Sequence, residues 1–107
     1  MENRKAYVFV DDIFAGTLSE VESGYEFLYD KQYLELENAK PVSLTLPLQE
    51  TPYLSKTLFS FFDGLIPEGW MFDVLIKNWK IDKNDRFQAL LVGCKDCIGN
   101  VSIKEAL

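Results

Sequence analysis

Phe61-Phe62-Asp63-Gly64-Leu65-Ile66-Pro67-Glu68-Gly69-Trp70 is the stretch on which the reading of this chain turns. Upstream, apolar and polar residues alternate, the period of strands; downstream, apolar residues recur at three and four, the period of helices. Just ahead of the stretch, Ser55 is a fair N-cap for a helix carrying Leu58, Phe59, Phe61 and Phe62, which Asp63-Gly64 ends. Pro67 suits the first turn of a second helix, and Glu68 is favourably placed for its dipole. That helix should run to about Lys80, and a third, capped by Asp82 or Asn84, should carry Phe87, Leu90 and Leu91.

Moving back toward the N-terminus, Ala6–Val10 and Ile13–Leu18 read as strands joined by Asp11-Asp12, two residues that tolerate left-handed backbone. Gly24–Tyr29 alternates, with Tyr25, Phe27 and Tyr29 on one face. Asp30 through Asn38 holds a short helical turn with Tyr33, Leu34 and Leu36. Val42, Leu44 and Leu46 alternate with Ser43 and Thr45 as a half-buried strand between Pro41 and Pro47. Ile98–Ile103 reads as a closing strand. Strands, then helices, then a strand imply an α+β fold: a small antiparallel sheet from the N-terminal half plus a C-terminal strand, packed on one side by about three helices.

The chain has 107 residues, the size of a single domain spanning 1–107. Hydrophobic residues make up 48% and aromatics 14%, a folding composition. No apolar run approaches the roughly 20 residues of a membrane span, and no signal peptide opens the sequence, so a cytoplasmic protein is expected. Eleven basic against 17 acidic residues leave a net charge of −6, which argues against binding nucleic acid alone. Histidine is absent, which excludes Ser–His–Asp and Cys–His nucleophilic systems, histidine metal sites and a histidine base. Cys94-Lys95-Asp96-Cys97 follows a helix and precedes a strand, the reverse of a redox motif. Two thiols do not fill a zinc site, so two ordinary thiols are the plainer reading. The scattered carboxylates Asp11, Asp12, Glu20, Glu22, Glu35 and Glu37 read as solvated surface. No catalytic residue, metal ligand or cofactor is expected.

On the second helix, at about 100° per residue, Met71, Phe72, Leu75, Ile76 and Trp79 fall on one broad core-facing side. Trp70 falls opposite, with Asp73 and Lys77. Trp79 should therefore be buried and Trp70 at least partly exposed, a candidate binding anchor because Trp is enriched among residues that dominate interface energy. The alternative is an indole folded back over Pro67 or Tyr53; the wheel does not separate the two.

Motifs along nearly the whole chain resemble the N-terminal subdomain of HipA-type toxin kinases. They are Gly16-Thr17-Leu18, Phe27-Leu28-Tyr29-Asp30 with Tyr33-Leu34, Val42-Ser43-Leu44-Thr45-Leu46-Pro47-Leu48, Phe61–Gly69, and Leu90-Leu91 with Asp96-Cys97-Ile98-Gly99. Two departures stand out: Cys94 where the family often has Gly, and Trp70 where full-length kinases commonly carry a polar residue. The sequence has no Gly-rich phosphate loop, catalytic-loop or metal-binding acidic motif, so the resemblance implies no kinase activity. A free-standing subdomain of this kind is similar to the small antitoxin subunit, HipS, of three-part HipBST systems. That resemblance implies a HipT-like serine/threonine kinase toxin as partner and a HipB-like helix-turn-helix DNA-binding protein in the same complex. It further implies an exposed Trp that blocks the kinase active site, a role Trp70 fits; with the Pro67, Glu68 and Gly69 turn that presents it and with Asp73 and Lys77 on its side of the helix, it makes up the expected partner-binding site. The rival readings are a non-inhibitory structural subunit of a DNA-bound complex, the N-terminal piece of a longer HipA-like kinase, and an enzyme using Cys94 and Cys97.

Overall fold

Asp11 and Asp12 both adopt positive φ, 51° and 65°, the geometry of a two-residue hairpin turn that matches strand twist. They join β1 (Lys5–Val10) to β2 (Ile13–Val21), with Val10 facing Ile13. β3 (Gly24–Tyr29) returns antiparallel to β2, and α1 (Lys31–Leu34) follows directly, its first turn capped by the Asp30 carboxylate accepting from the Tyr33 N–H. A short β4 (Tyr53–Ser55) adds to β3, and β5 (Val101–Glu105) adds to β1. The antiparallel order is β4-β3-β2-β1-β5. The computed structural model describes residues 4–93 and 100–106; the Cys94–Cys97 pair and the start of the expected closing strand lie outside them.

One face of the sheet is the core. Ala6, Val8, Val10, Leu18, Phe27, Tyr29, Val101 and Ile103 are buried on it against Phe62, Phe87, Leu90 and Leu91. The covering helices are α2 (Ser60–Asp63), α3 (Trp70–Trp79) and α4 (Arg86–Gly93). Phe27 meets Phe62 at a ring-centroid distance of 5.5 Å, and Phe87 stacks on Tyr25 at 5.9 Å. The α+β class, the antiparallel sheet and its C-terminal strand are therefore as the sequence implies, with four helices among the described residues, two of them single turns.

Three local expectations are corrected. The segment Val42–Leu46 is no extended strand but a tight loop: Ser43 bridges Leu46, whose N–H donates to the Ser43 carbonyl at 3.1 Å, and Leu44 stands 95% exposed at the tip. Tyrosine hydroxyls, which alternation cannot register, impose this shape. Tyr29 Oη donates to the Leu46 carbonyl and accepts from the Val42 N–H, Tyr33 Oη donates to the Lys40 carbonyl, and Tyr53 Oη donates to the Pro47 carbonyl. Burial pushes the Tyr29 phenol up to about 12, so it stays neutral and able to donate. Second, Ser55 caps no helix; it ends β4, and α2 begins at Ser60, leaving Leu58 and Phe59 ahead of it. Third, α4 is capped by Asp85, whose Oδ1 accepts from the Gln88 N–H at 3.2 Å, while Asp82 accepts from the Asn84 N–H in the preceding turn.

Asp85 has a second partner. Arg4 donates bidentately to Glu20 on β2 (2.9 and 2.8 Å) and to Asp85 (2.9 and 2.9 Å), and its guanidinium lies 5.2 Å from the Phe87 ring centroid. The Arg4 hydrogen bonds hold both carboxyls below the usual carboxylate range and raise the guanidinium in turn. Because the folded-state carboxylate values are depressed, this stabilisation is fully present above the ordinary carboxylate range and lost as pH falls through the folded values. Equilibrium urea unfolding should therefore show stability dropping as pH falls through the ordinary carboxylate range and below it. Arg4→Met should be less stable at neutral pH, with a shallower drop over the same window; an unchanged acid limb would contradict the role given to Arg4.

Candidate functional site

The connection between α2 and α3 is built from short-range turns. Gly64 ends α2, the Leu65 and Ile66 N–H groups donate back to Phe62 and Asp63, and Ile66 is buried. Pro67 is half-buried against α4: a Cβ added at Gly93 would come within 3.1 Å of its ring and 3.0 Å of Leu75. Pro67 does not open the helix, as its fixed φ suggested; the chain needs two further residues to turn. Glu68 is exposed, and Gly69 takes φ 65° and ψ −141°, a conformation open essentially only to glycine. Its carbonyl then accepts from the Phe72 and Asp73 N–H groups at 3.1 and 3.2 Å, so α3 starts at Trp70. Lys80 in left-handed conformation closes the helix, where the sequence places its end.

Trp70 is 75% exposed, which settles the alternative of an indole folded over Pro67 or Tyr53. Asp73 and Lys77 share its side of the helix and are exposed, as are Glu68 and Gly69; of the six sequence-selected residues only Pro67 is partly covered. The structure thus brings them together on one turn and one helix face. The opposite face departs from expectation. Trp79, which the wheel buries, is 58% exposed, and Met71 is exposed as well. The reason is that α3 packs against α4 at the periphery and has no fully buried residue. Phe72 and Leu75 pack partly buried against the core and Ile76 is half-buried, too narrow a strip to cover Met71 at one edge or Trp79 near the end of the helix. Val74, unremarked in the sequence, is exposed one turn beyond Trp70; the i, i+4 spacing was the available signal.

The surroundings hold α3 in place electrostatically as well as by packing. Arg86 of α4 donates to the Asp63 carboxylate at 2.8 Å and lies 5.4 Å from the Phe72 ring centroid, tying α2, α3 and α4 together. Among the described residues no group of three or more Asp, Glu or Cys is arranged to hold a metal ion, and no helix is long and apolar enough to cross a membrane. The arrangement is a displayed aromatic with acidic neighbours, suited to insertion into another surface.

This sheet, with its helices on one face and the Pro67–Trp70 turn beside α4, is that of the HipA N-terminal domain: the model of that family matches residues 6–104, and the chain belongs to it. The solved N-terminal domain of HipA toxin superposes with a TM-score of 0.71 at 29% identity, covering 97% of this chain and 93% of that one. An uncharacterised protein of Haemophilus influenzae is 35% identical over 102 residues, 95% of this chain and 92% of that protein. What matches is the small N-terminal domain of HipA and not its kinase portion, which makes the chain a HipA-related toxin–antitoxin component.

The Gly69 backbone generates a prediction. No atom lies within 4 Å of a Cβ added there, so the obstacle to a side chain is conformational alone. Gly69→Ala should cost about 1–3 kcal/mol in urea unfolding. Gly64→Ala, at ordinary negative φ, should cost less.

Proposed function

We propose that this chain is an antitoxin subunit that binds a HipT-like serine/threonine kinase toxin and holds it inactive, within a complex that also contains a HipB-like helix-turn-helix DNA-binding protein. The observation that carries this reading is the exposure of Trp70 at the head of α3 in a HipA N-terminal domain. The mechanism is a wedge. Trp70, directed by the Pro67–Gly69 turn, enters the kinase cleft and denies space to the nucleotide or misaligns its metal. Glu68 and Asp73 beside it complement a cationic phosphate-binding pocket and steer association. Asp73 and Lys77 flank the inserted ring on the helix. The chain performs no chemistry in this scheme, and it acts in the cytoplasm where the kinase does.

An inserted indole covers roughly 150–250 Å² and costs about 2 kcal/mol or more when truncated at a hot spot. Trp70→Ala should therefore release kinase activity in vitro and restore toxicity when chain and kinase are co-expressed, with the variant's own unfolding curve little changed because the ring is exposed. Undiminished neutralisation by Trp70→Ala would falsify the wedge. A wild-type complex with full kinase activity would instead support a non-inhibitory structural subunit.

A further inference from the structure

Trp70 shares its side of α3 with Val74, which at about 100° per residue lies one turn on and is directed away from the half-buried strip of Phe72, Leu75 and Ile76, while Met71 lies at the edge between that side and the strip, beside Leu75. Met71 is 54% and Val74 45% exposed. The areas decide how far a contact here must extend. One indole supplies at most roughly 250 Å², whereas a stable protein–protein contact takes about 800 Å² from each side. Trp70 alone therefore falls far short, and the apolar surface next to it on α3 belongs to Met71 and Val74. The charges along this side are ordered: Glu68 and Asp73 stand at the Trp70 end, and Lys77 lies further along the helix.

We propose that the kinase partner, on whose assignment above this inference rests, covers a continuous Trp70–Met71–Val74 stripe, with Val74 as a second anchor. The matching surface is an apolar shelf with cationic groups facing Glu68 and Asp73. A second copy of this chain fits less well, because it would bring two bodies of net charge −6 together. Trp79, exposed on the other side of α3, lies outside the contact.

The test measures affinity of the full chain for a HipT-like kinase by calorimetry. Val74→Glu, with Trp70 intact, should weaken binding by about tenfold or more. Trp79→Ala should leave it within about twofold. Circular dichroism and thermal unfolding report whether Val74→Glu folds; if it does not, Val74→Gln and Met71→Gln take its place. Wild-type affinity in folded Val74 and Met71 variants overturns the stripe while leaving the Trp70 wedge standing. Equal weakening by Trp79→Ala overturns it as well, by placing the contact on the other side. A wild-type chain that dimerises through Val74 overturns the choice of partner. Loss of inhibition in Trp70→Ala with unchanged affinity for Val74→Glu separates failure of this inference from failure of the function it rests on.

Discussion

Phe87 enters the core face of the sheet and stacks on Tyr25, Leu90 and Leu91 follow it into the same core, and on that seat α4 carries the rest of the helical layer. Each such buried side chain contributes about 1.5–3 kcal/mol. The ion pairs around Arg4 and Arg86, all partly exposed, are worth less and act chiefly on alignment. Arg4 sets the N-terminus of α4 against β2, and Arg86 ties its flank to α2 and α3. Helix α3 packs against α4 and has no buried residue of its own, so the position of Trp70 is inherited from the seating of α4.

The sheet beneath is built with equal closeness. A Cβ at Gly16 would come within 2.5 Å of the Leu28 carbonyl and 3.0 Å of the Phe27 ring, so the small residue lets that ring lie across β2 and reach Phe62. From Phe62 the chain passes through Gly64, buried Ile66 and Pro67 to the Gly69 turn, so the displayed indole follows a fully buried core ring by one short helix and two turns. The functional reading of a kinase-binding antitoxin draws on the exposure of Trp70 beside this turn and on membership of the HipA N-terminal domain family.

Where burial was inferred from periodicity alone, the reading went astray at the edges of the molecule. Val42-Ser43-Leu44-Thr45-Leu46 has the alternation of a strand, yet the hydroxyls of Tyr29, Tyr33 and Tyr53 bend it into a loop and turn Leu44 into solvent. Trp79 sits on the apolar side of its wheel, yet it is 58% exposed near the end of a helix that has no fully buried residue. In the first place side-chain hydrogen bonds overrode the strand that the alternation implies, and in the second the apolar side of the helix is wider than the surface it meets.

The sequence by itself determined the Asp11-Asp12 hairpin, the strand Gly24–Tyr29, the switch from strands to helices, the end of α3 near Lys80 and the side of that helix on which Trp70 lies. These follow from turn chemistry and side-chain period, which act within a few residues. Only the tertiary structure decided that Arg4 reaches Asp85 across 81 positions of chain while holding Glu20, that Leu44 and Trp79 lie outside the core, and that Met71 and Val74 stand exposed on α3 along with Trp70. Those outcomes depend on which distant surfaces meet, and a local pattern holds no information about how wide the meeting surface is.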